Sequence, residues 1–562
     1  MRSSIPAIAA VLALSACTTD GADTPPAAAS ATPPATAAAE PSIDTMKRLV
    51  QELSSDAYEG RAPGSPGEEK TLALLAAEFG KLGLQPGNKG SWFQDVPLVE
   101  INAKNVSPLS FTGGKSAVTA AYGPEMVIGT YRTTQPRIAI KDSPVVFVGY
   151  GINAPEKGWN DYAGLDVKGK TVVILVNDPD YETPGLTGPF NGRAMTYYGR
   201  WTYKYEEAAR QGAAAAIIVH DTVPAAYGWN VVQSSWTGAQ HVADSANGNA
   251  DQSQAIGWLQ TDKAAALFAS AGLNLDTQMA AAKKPGFKAV ALAGVKANVS
   301  FDNDLRKHMS KNVVALLPGK TRPDEYVLYS AHWDHLGHCQ AAPDGDDICN
   351  GAVDNATGTA ALVALAQANV QAGPTDRSQV FLAVTAEESG LLGSAYYGKN
   401  PVFPFAKTVG GVNMDALSVA GLARNVVVIG KGKSQLDAYL DRALAAQGRV
   451  ATLEPTPEKG YYYRSDHFSF AKYGLPMLYF EGGEDLVKGG TAAGLAAAED
   501  YTKNRYHGPK DEYDVNWDWT GVQADLKLYY GVGRDLATTT DWPNWVEGDE
   551  FRAIRDKDRA GL

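Results

Sequence analysis

Cysteine is scarce in this chain, three among 562 residues, and Cys339 and Cys349 match no common zinc spacing, which argues against thiolate metal ligands. No run of Lys or Arg forms a stripe and the formal net charge is −12, which argues against a nucleic-acid partner. Beyond the first residues, no apolar run approaches the roughly 18 residues of a membrane-spanning helix. There is no internal repeat. A chain of this length holds more than one domain, and its apolar share is that of a soluble protein with a large core.

The N-terminus carries the first positive signal. MRSSIPAIAAVLALSAC has one basic residue, a short apolar core and then Leu14-Ser15-Ala16-Cys17, a pattern of export rather than of structure. It resembles a lipoprotein signal in which residues 1–16 are removed and Cys17 is lipidated, anchoring the chain to a membrane. A plain secretory signal with an incidental cysteine is the alternative. Thr18 is not the Asp that resembles an inner-membrane retention signal, so an outer-membrane anchor is expected, and otherwise a periplasmic or secreted chain. In an oxidising compartment Cys339 and Cys349 are expected to form a disulfide in the loop that follows His332. From Cys17 to about residue 41 the composition is Ala, Pro, Thr and Ser, a tether.

From Ile43 the spacing predicts two amphipathic helices, with Met46, Leu49, Val50 and Leu53 on one and Leu72, Leu74, Leu75 and Phe79 on the other. The turn-rich Gly60-Arg61-Ala62-Pro63-Gly64-Ser65 lies between them and ends at a helix cap. Residues 42–139 are read as the N-terminal part of one domain. Residues 140–297 differ: SPVVFVGYG, KGKTVVILVND and AAAAIIVHD are short β-type runs, with a helix YKYEEAARQG before the third. His220 and His241 stand alone there, and a lone histidine at a strand end is more often structural than a ligand. This stretch is read as an inserted β-rich domain. From residue 298 to the end, strands alternate with helices, which implies a parallel sheet covered by helices.

Four segments of this last part share one design: VLYSAHWDHLGH, NGAVDNATGTAALVALA, VFLAVTAEESGLLGS and GVNMDALS. In each, acidic or imidazole groups follow an apolar β run or precede a helix, here residues 357–371. Open parallel sheets gather ligands outside the carboxyl ends of their strands. His332, Asp354, Glu387, Glu388 and Asp415 are therefore expected to converge as a metal site. Asp334 is placed to fix the second ring nitrogen of His332, and Asp354 can offer one oxygen to each of two cations. Of Glu387 and Glu388, one binds metal and the other faces substrate as a base. His335 and His338 are read as loop residues.

With those residues in that order, the chain resembles the co-catalytic zinc peptidases typified by bacterial leucyl aminopeptidase and glutamate carboxypeptidase II, over residues 42–130 and 298–540. The inserted stretch resembles the protease-associated domain found in many members, chiefly in GKTVVILV and EEAARQGAAAAIIV. The resemblance implies an α/β fold with a mostly parallel central sheet flanked by helices. It also implies two zinc ions per chain. One would be held by His332, Asp415 and bridging Asp354, the other by Glu388, His507 and Asp354. His467, in RSDHFSF, competes with His507 for the last place; the family loop favours His507, although Gly508-Pro509 departs from its usual Thr or Ser. Glu387 would be the general base and Tyr506 a donor to the oxyanion. The expected activity is removal of N-terminal residues from peptides. A carboxypeptidase acting on dipeptides, to which Arg464 could contribute, and a non-catalytic binding protein on the same scaffold are the alternatives. For Tyr461, Tyr462 and Tyr463 core packing is the expected role.

Overall fold

A computed structural model describes residues 39–561. The expected export segment, Cys17 and most of the tether lie outside the described residues. The fold is α/β, with helices packed on a large central sheet, as expected. Four adjacent strands at its centre run parallel, in the order Arg377–Val384, Arg322–His332, Thr408–Asn413 and Met477–Gly482. Asn425–Ile429 joins the last of these antiparallel, and Val450–Leu453 extends that edge. The strand Arg377–Val384 is buried at every position, the pattern of a strand covered on both faces.

Helices close both faces because their apolar spacing leaves them no other way to bury one side. Ile43–Leu53 buries Met46, Leu49, Val50 and Leu53, the four residues its periodicity predicts. Pro66–Lys81 starts at Ser65, whose hydroxyl accepts from the Glu68 amide, and buries Leu72, Leu75 and Phe79. These pack with Thr357–Gln371 and Thr520–Thr538 around Val327, Tyr329 and Phe381 in one core. Thr357–Gln371 has the bounds expected from the sequence.

A second core gathers Phe111, Ile138, Phe147, Val173, Ile217, Phe268 and Phe301. Here Thr171–Leu175, Ala215–His220 and Ala255–Gln260 form parallel ladders, and Trp201–Arg210 is the helix expected from YKYEEAARQG. This core enlists side chains from Leu109 onward, earlier than residue 140, where the sequence changes character. Its other end, expected at 297, falls inside one continuous strand, Val290–Leu317. That strand pairs with Arg137–Phe147 in the inserted unit, with Phe93–Lys104 along Asp302–Val313, and with Arg377–Val384 along Val313–Leu317. Its middle, DNDLRK, reads as a connector because it is polar. In the fold it is the edge of a three-stranded antiparallel ribbon with Phe93–Lys104 and Ala239–Ala243, and its outward polar side chains need no burial.

Candidate metal centre

The carboxyl ends of the parallel strands deliver the expected groups to one place. His332 ends its strand, Glu387 and Glu388 follow Val384 by three and four residues, and Asp415 lies two residues beyond Asn413. Asp354 enters from the turn before Thr357–Gln371, where the Asp354–Asn355 peptide bond is cis. The Asn355 side chain bonds the Met414 carbonyl and the amides of Gly358 and Ala416, tying the Asp354 turn to the Asp415 turn. Gly351 opens that turn at φ 55°, and a β-carbon there would lie 2.1 Å from the Asp354 carbonyl oxygen. Only glycine fits both constraints.

Asp354 is the centre of the geometry. Its Oδ1 lies 3.4 Å from His332 Nε2, and its Oδ2 lies 3.4 Å from His507 Nε2. His332 Nε2 is also 3.1 Å from Asp415 Oδ1, and His507 Nε2 is 2.9 Å from Glu388 Oε2. Two sets of donors therefore share one carboxylate. His467 is not among them: its ring is buried between Tyr462 and Tyr479, and burial lowers its pKa to about 3.

Two details differ from the expectation. The outer ring nitrogen of His332 donates to the backbone carbonyl of Asp334, 3.1 Å away, rather than to its carboxylate at 3.8 Å. The carboxylate instead accepts from the amides of Glu387 and Glu388, at 3.1 and 3.4 Å, so Asp334 anchors the glutamate pair. His335, read as a loop residue, is buried, and its Nδ1 lies 2.6 Å from Glu388 Oε1. His338 stays exposed beside Asp347, and Cys339 and Cys349 are joined by a disulfide.

Three supports carry no ligand-like signature in the sequence. The Asp511 carboxylate accepts the amides of Val353 and Asp354, each at 3.0 Å. Its spacing four residues after His507 belongs to the family loop that favours His507, which gives it no role of its own. Arg61, in the Gly-Arg-Ala-Pro-Gly turn, is fully buried and donates to the carbonyls of Leu53, Trp333, Asn350 and Gly351. It thereby clamps the loops on either side of His332 and Asp354. Ser235, from the inserted unit, lies 2.8 Å from His507 Nδ1.

The electrostatics fit cations. Burial raises Glu387 well above the ordinary carboxylate range, opposed by His332 and reinforced by the charges of Asp415 and Glu388. Burial also opposes ionisation of Glu388, yet His507 and His335 hold it down at about 2. Burial likewise works against the His507 imidazolium, but Glu388 and Asp354 raise it to about 10. Burial lifts Asp466 to about 7, and the Asp415 and Glu388 charges add to the rise. Arg61 is a permanent cation behind the cluster, and all its hydrogen bonds go to carbonyls. Buried carboxylates in such number are costly unless cations compensate them. Imidazole nitrogens and carboxylate oxygens are the donors that zinc accepts.

A second histidine group lies elsewhere. His241, expected to stand alone, has Nδ1 at 3.2 Å from His308 Nε2, with Glu100 beside them. The Arg306 guanidinium is already paired with the Glu100 carboxylate, so that group has its cation. His220 is structural: its ring bonds the Tyr227 carbonyl and packs on Trp229.

A cavity opens at the cluster, between the peptidase-like sheet and the inserted unit. Glu387, Glu388, Tyr506 and His507 form its floor, and Arg200, Tyr227 and Trp236 are among the residues of its far wall. The Tyr506 ring stacks on His507 at 3.9 Å, and its hydroxyl accepts from Arg464 Nη2 at 3.2 Å. Tyr463 also lines the cavity, whereas Tyr462 is packed in an aromatic cluster.

Comparison with known proteins agrees with the fold. The aminopeptidase of Aneurinibacillus sp. strain AM-1 shares the fold, with a TM-score of 0.54 at 19% identity over 90% of this chain and 96% of that one. Mouse aminopeptidase NAALADL1 is 32% identical over 129 residues, 22% of this chain. A glutamate carboxypeptidase 2 homolog of Caenorhabditis elegans is 30% identical over 139 residues, 24% of this chain. The matched stretch spans 16% of the length of each of these two relatives. Residues 312–530, which carry every member of the candidate metal cluster, match the Peptidase family M28 pattern.

Proposed function

We propose that the chain is an exported, lipid-anchored metallo-exopeptidase that removes N-terminal residues from peptides and works with two zinc ions. One observation carries this reading: Asp354 presents its two oxygens to His332 and His507, and each histidine meets a further carboxylate of its own. His332, Asp354 and Asp415 would hold one ion, and Glu388, His507 and Asp354 the other. When bound, the pair would supply Lewis acidity that polarises the scissile carbonyl and acidifies the attacking water.

The protein's own groups do the rest. Glu387 sits at the cavity floor with its amide fixed by Asp334, and its burial suits a carboxylate that takes a proton and gives it back. It accepts the proton of the attacking water and returns it to the leaving amine as the C–N bond breaks. The Tyr506 hydroxyl, which accepts from Arg464, is free to donate its own proton to the developing oxyanion. Metal analysis should find two zinc equivalents, and the protein should cleave aminoacyl p-nitroanilides. Fewer than one zinc with no cleavage would favour a binding protein on this scaffold.

A second reading is cleavage of dipeptides, or of peptides acidic next to the scissile bond. Arg200 and Arg464 both line the cavity, and neither makes an ion pair among the described residues. Both are placed to receive a carboxylate. Faster hydrolysis of amino-blocked acidic dipeptides than of aminoacyl p-nitroanilides would select it.

A further inference from the structure

The only hydrogen bond reaching the metal cluster's histidines from the inserted unit, among the described residues, comes from Ser235. Its hydroxyl lies 2.8 Å from Nδ1 of His507. With Nε2 of that ring turned to Glu388 and Asp354, a neutral imidazole that gives its lone pair there carries its proton on Nδ1. That proton donates to the Ser235 oxygen. Histidine ligands depend on such an outer partner to fix tautomer and ring angle.

The contact is built rather than incidental. Ser235 sits in the last turn of the helix Trp229–Trp236, which is clamped at both ends. Trp229 donates its indole N–H to the Gly123 carbonyl, 3.0 Å away, and Trp236 packs edge-on against Trp201 and Tyr205, each at 5.7 Å. The Ser235 carbonyl is held by the Gln240 side chain at 3.1 Å. On the other side, His507 has φ 55°, a left-handed conformation uncommon outside glycine, and its ring stacks on Tyr506. A residue held this way needs its surroundings to define it.

We propose that Ser235 is a positioning residue for the Glu388–His507 half of the metal site, so that the inserted unit sets the affinity of one zinc ion and not of the other. This rests on the reading of His507 as a zinc ligand. The test compares full-length wild type, Ser235→Ala, Ser235→Thr and Ser234→Ala by zinc titration against a chromophoric chelator and by thermal melting with and without zinc. Ser234 is a fit control, since its hydroxyl bonds the Asn230 carbonyl within the same helix.

In Ser235→Ala, one zinc equivalent should bind about 10–100-fold more weakly, the usual cost of losing an outer partner, while the other is unchanged. Melting of the chelator-treated protein should match wild type, with the zinc-induced rise reduced. Ser235→Thr should restore the affinity, and Ser234→Ala should leave it intact. Unchanged affinity for both equivalents in Ser235→Ala, or a lowered melting point of the zinc-free variant that accounts for the change, overturns the assignment of Ser235 alone. A wild-type protein that takes up no zinc overturns the metal reading beneath it as well.

Discussion

The two halves of the candidate metal cluster are held differently. The His332–Asp415 half is fastened wholly within the peptidase domain: His332 ends a central strand, its outer nitrogen bonds the Asp334 carbonyl, and its own carbonyl accepts from Thr359. The Glu388–His507 half leans on loops. His507 lies beyond the helix Gly490–Asn504, which buries little besides Gly494, and its outer partner comes from the inserted unit. One half is thus fastened by strand ends, and the other draws an outer partner from a second unit.

The comparison can be broken or sharpened by substitution. Asp354 belongs to both halves, so Asp354→Asn should have the largest effect. Loss of both zinc equivalents and of measurable peptidase activity is expected in metal analysis and p-nitroanilide assays; retention of one tight zinc would show that the halves do not share it. Glu387→Gln should leave both equivalents bound and lower kcat by about 10²–10⁴-fold, the usual contribution of a positioned general base. If kcat survives, the proton passes through another group. Asp511→Asn exchanges one of the acceptors for the Val353 and Asp354 amides for a donor, and should cost about 1–3 kcal/mol of stability, read by chemical denaturation of the zinc-free protein. His335→Asn should weaken only the Glu388 half, by about 10–100-fold in zinc affinity. An equal loss at both equivalents would merge the halves into one unit.

What the sequence made legible follows the same division. His332, Glu387, Glu388 and Asp415 could be read because each closes an apolar strand, and strand ends in a parallel sheet share an edge. The helix Thr357–Gln371 was legible from its apolar positions and the Gly-rich turn before it. Ser235 was not, since a serine in a short helix 272 residues from His507 carries no signal until the fold brings them together. Arg61 was hidden for a related reason. Its partners are four backbone carbonyls, which leave no trace in side-chain pattern. Asp334 was placed correctly beside His332 but given the wrong task, because spacing fixes a neighbourhood and not a rotamer. The boundary expected at 297 fell inside the strand Val290–Leu317 because its solvated stretch lacks the apolar run that marks a buried strand.

The strand Val290–Leu317 has a consequence for engineering. Since a single backbone segment is a rung of both ladders, excising residues 140–297 would cut it within its pairing with Arg137–Phe147 and would leave Leu98–Asn102 without its Ala239–Ala243 neighbour. The insert is therefore spliced into the peptidase rather than hung from it, and the two should melt together in one transition.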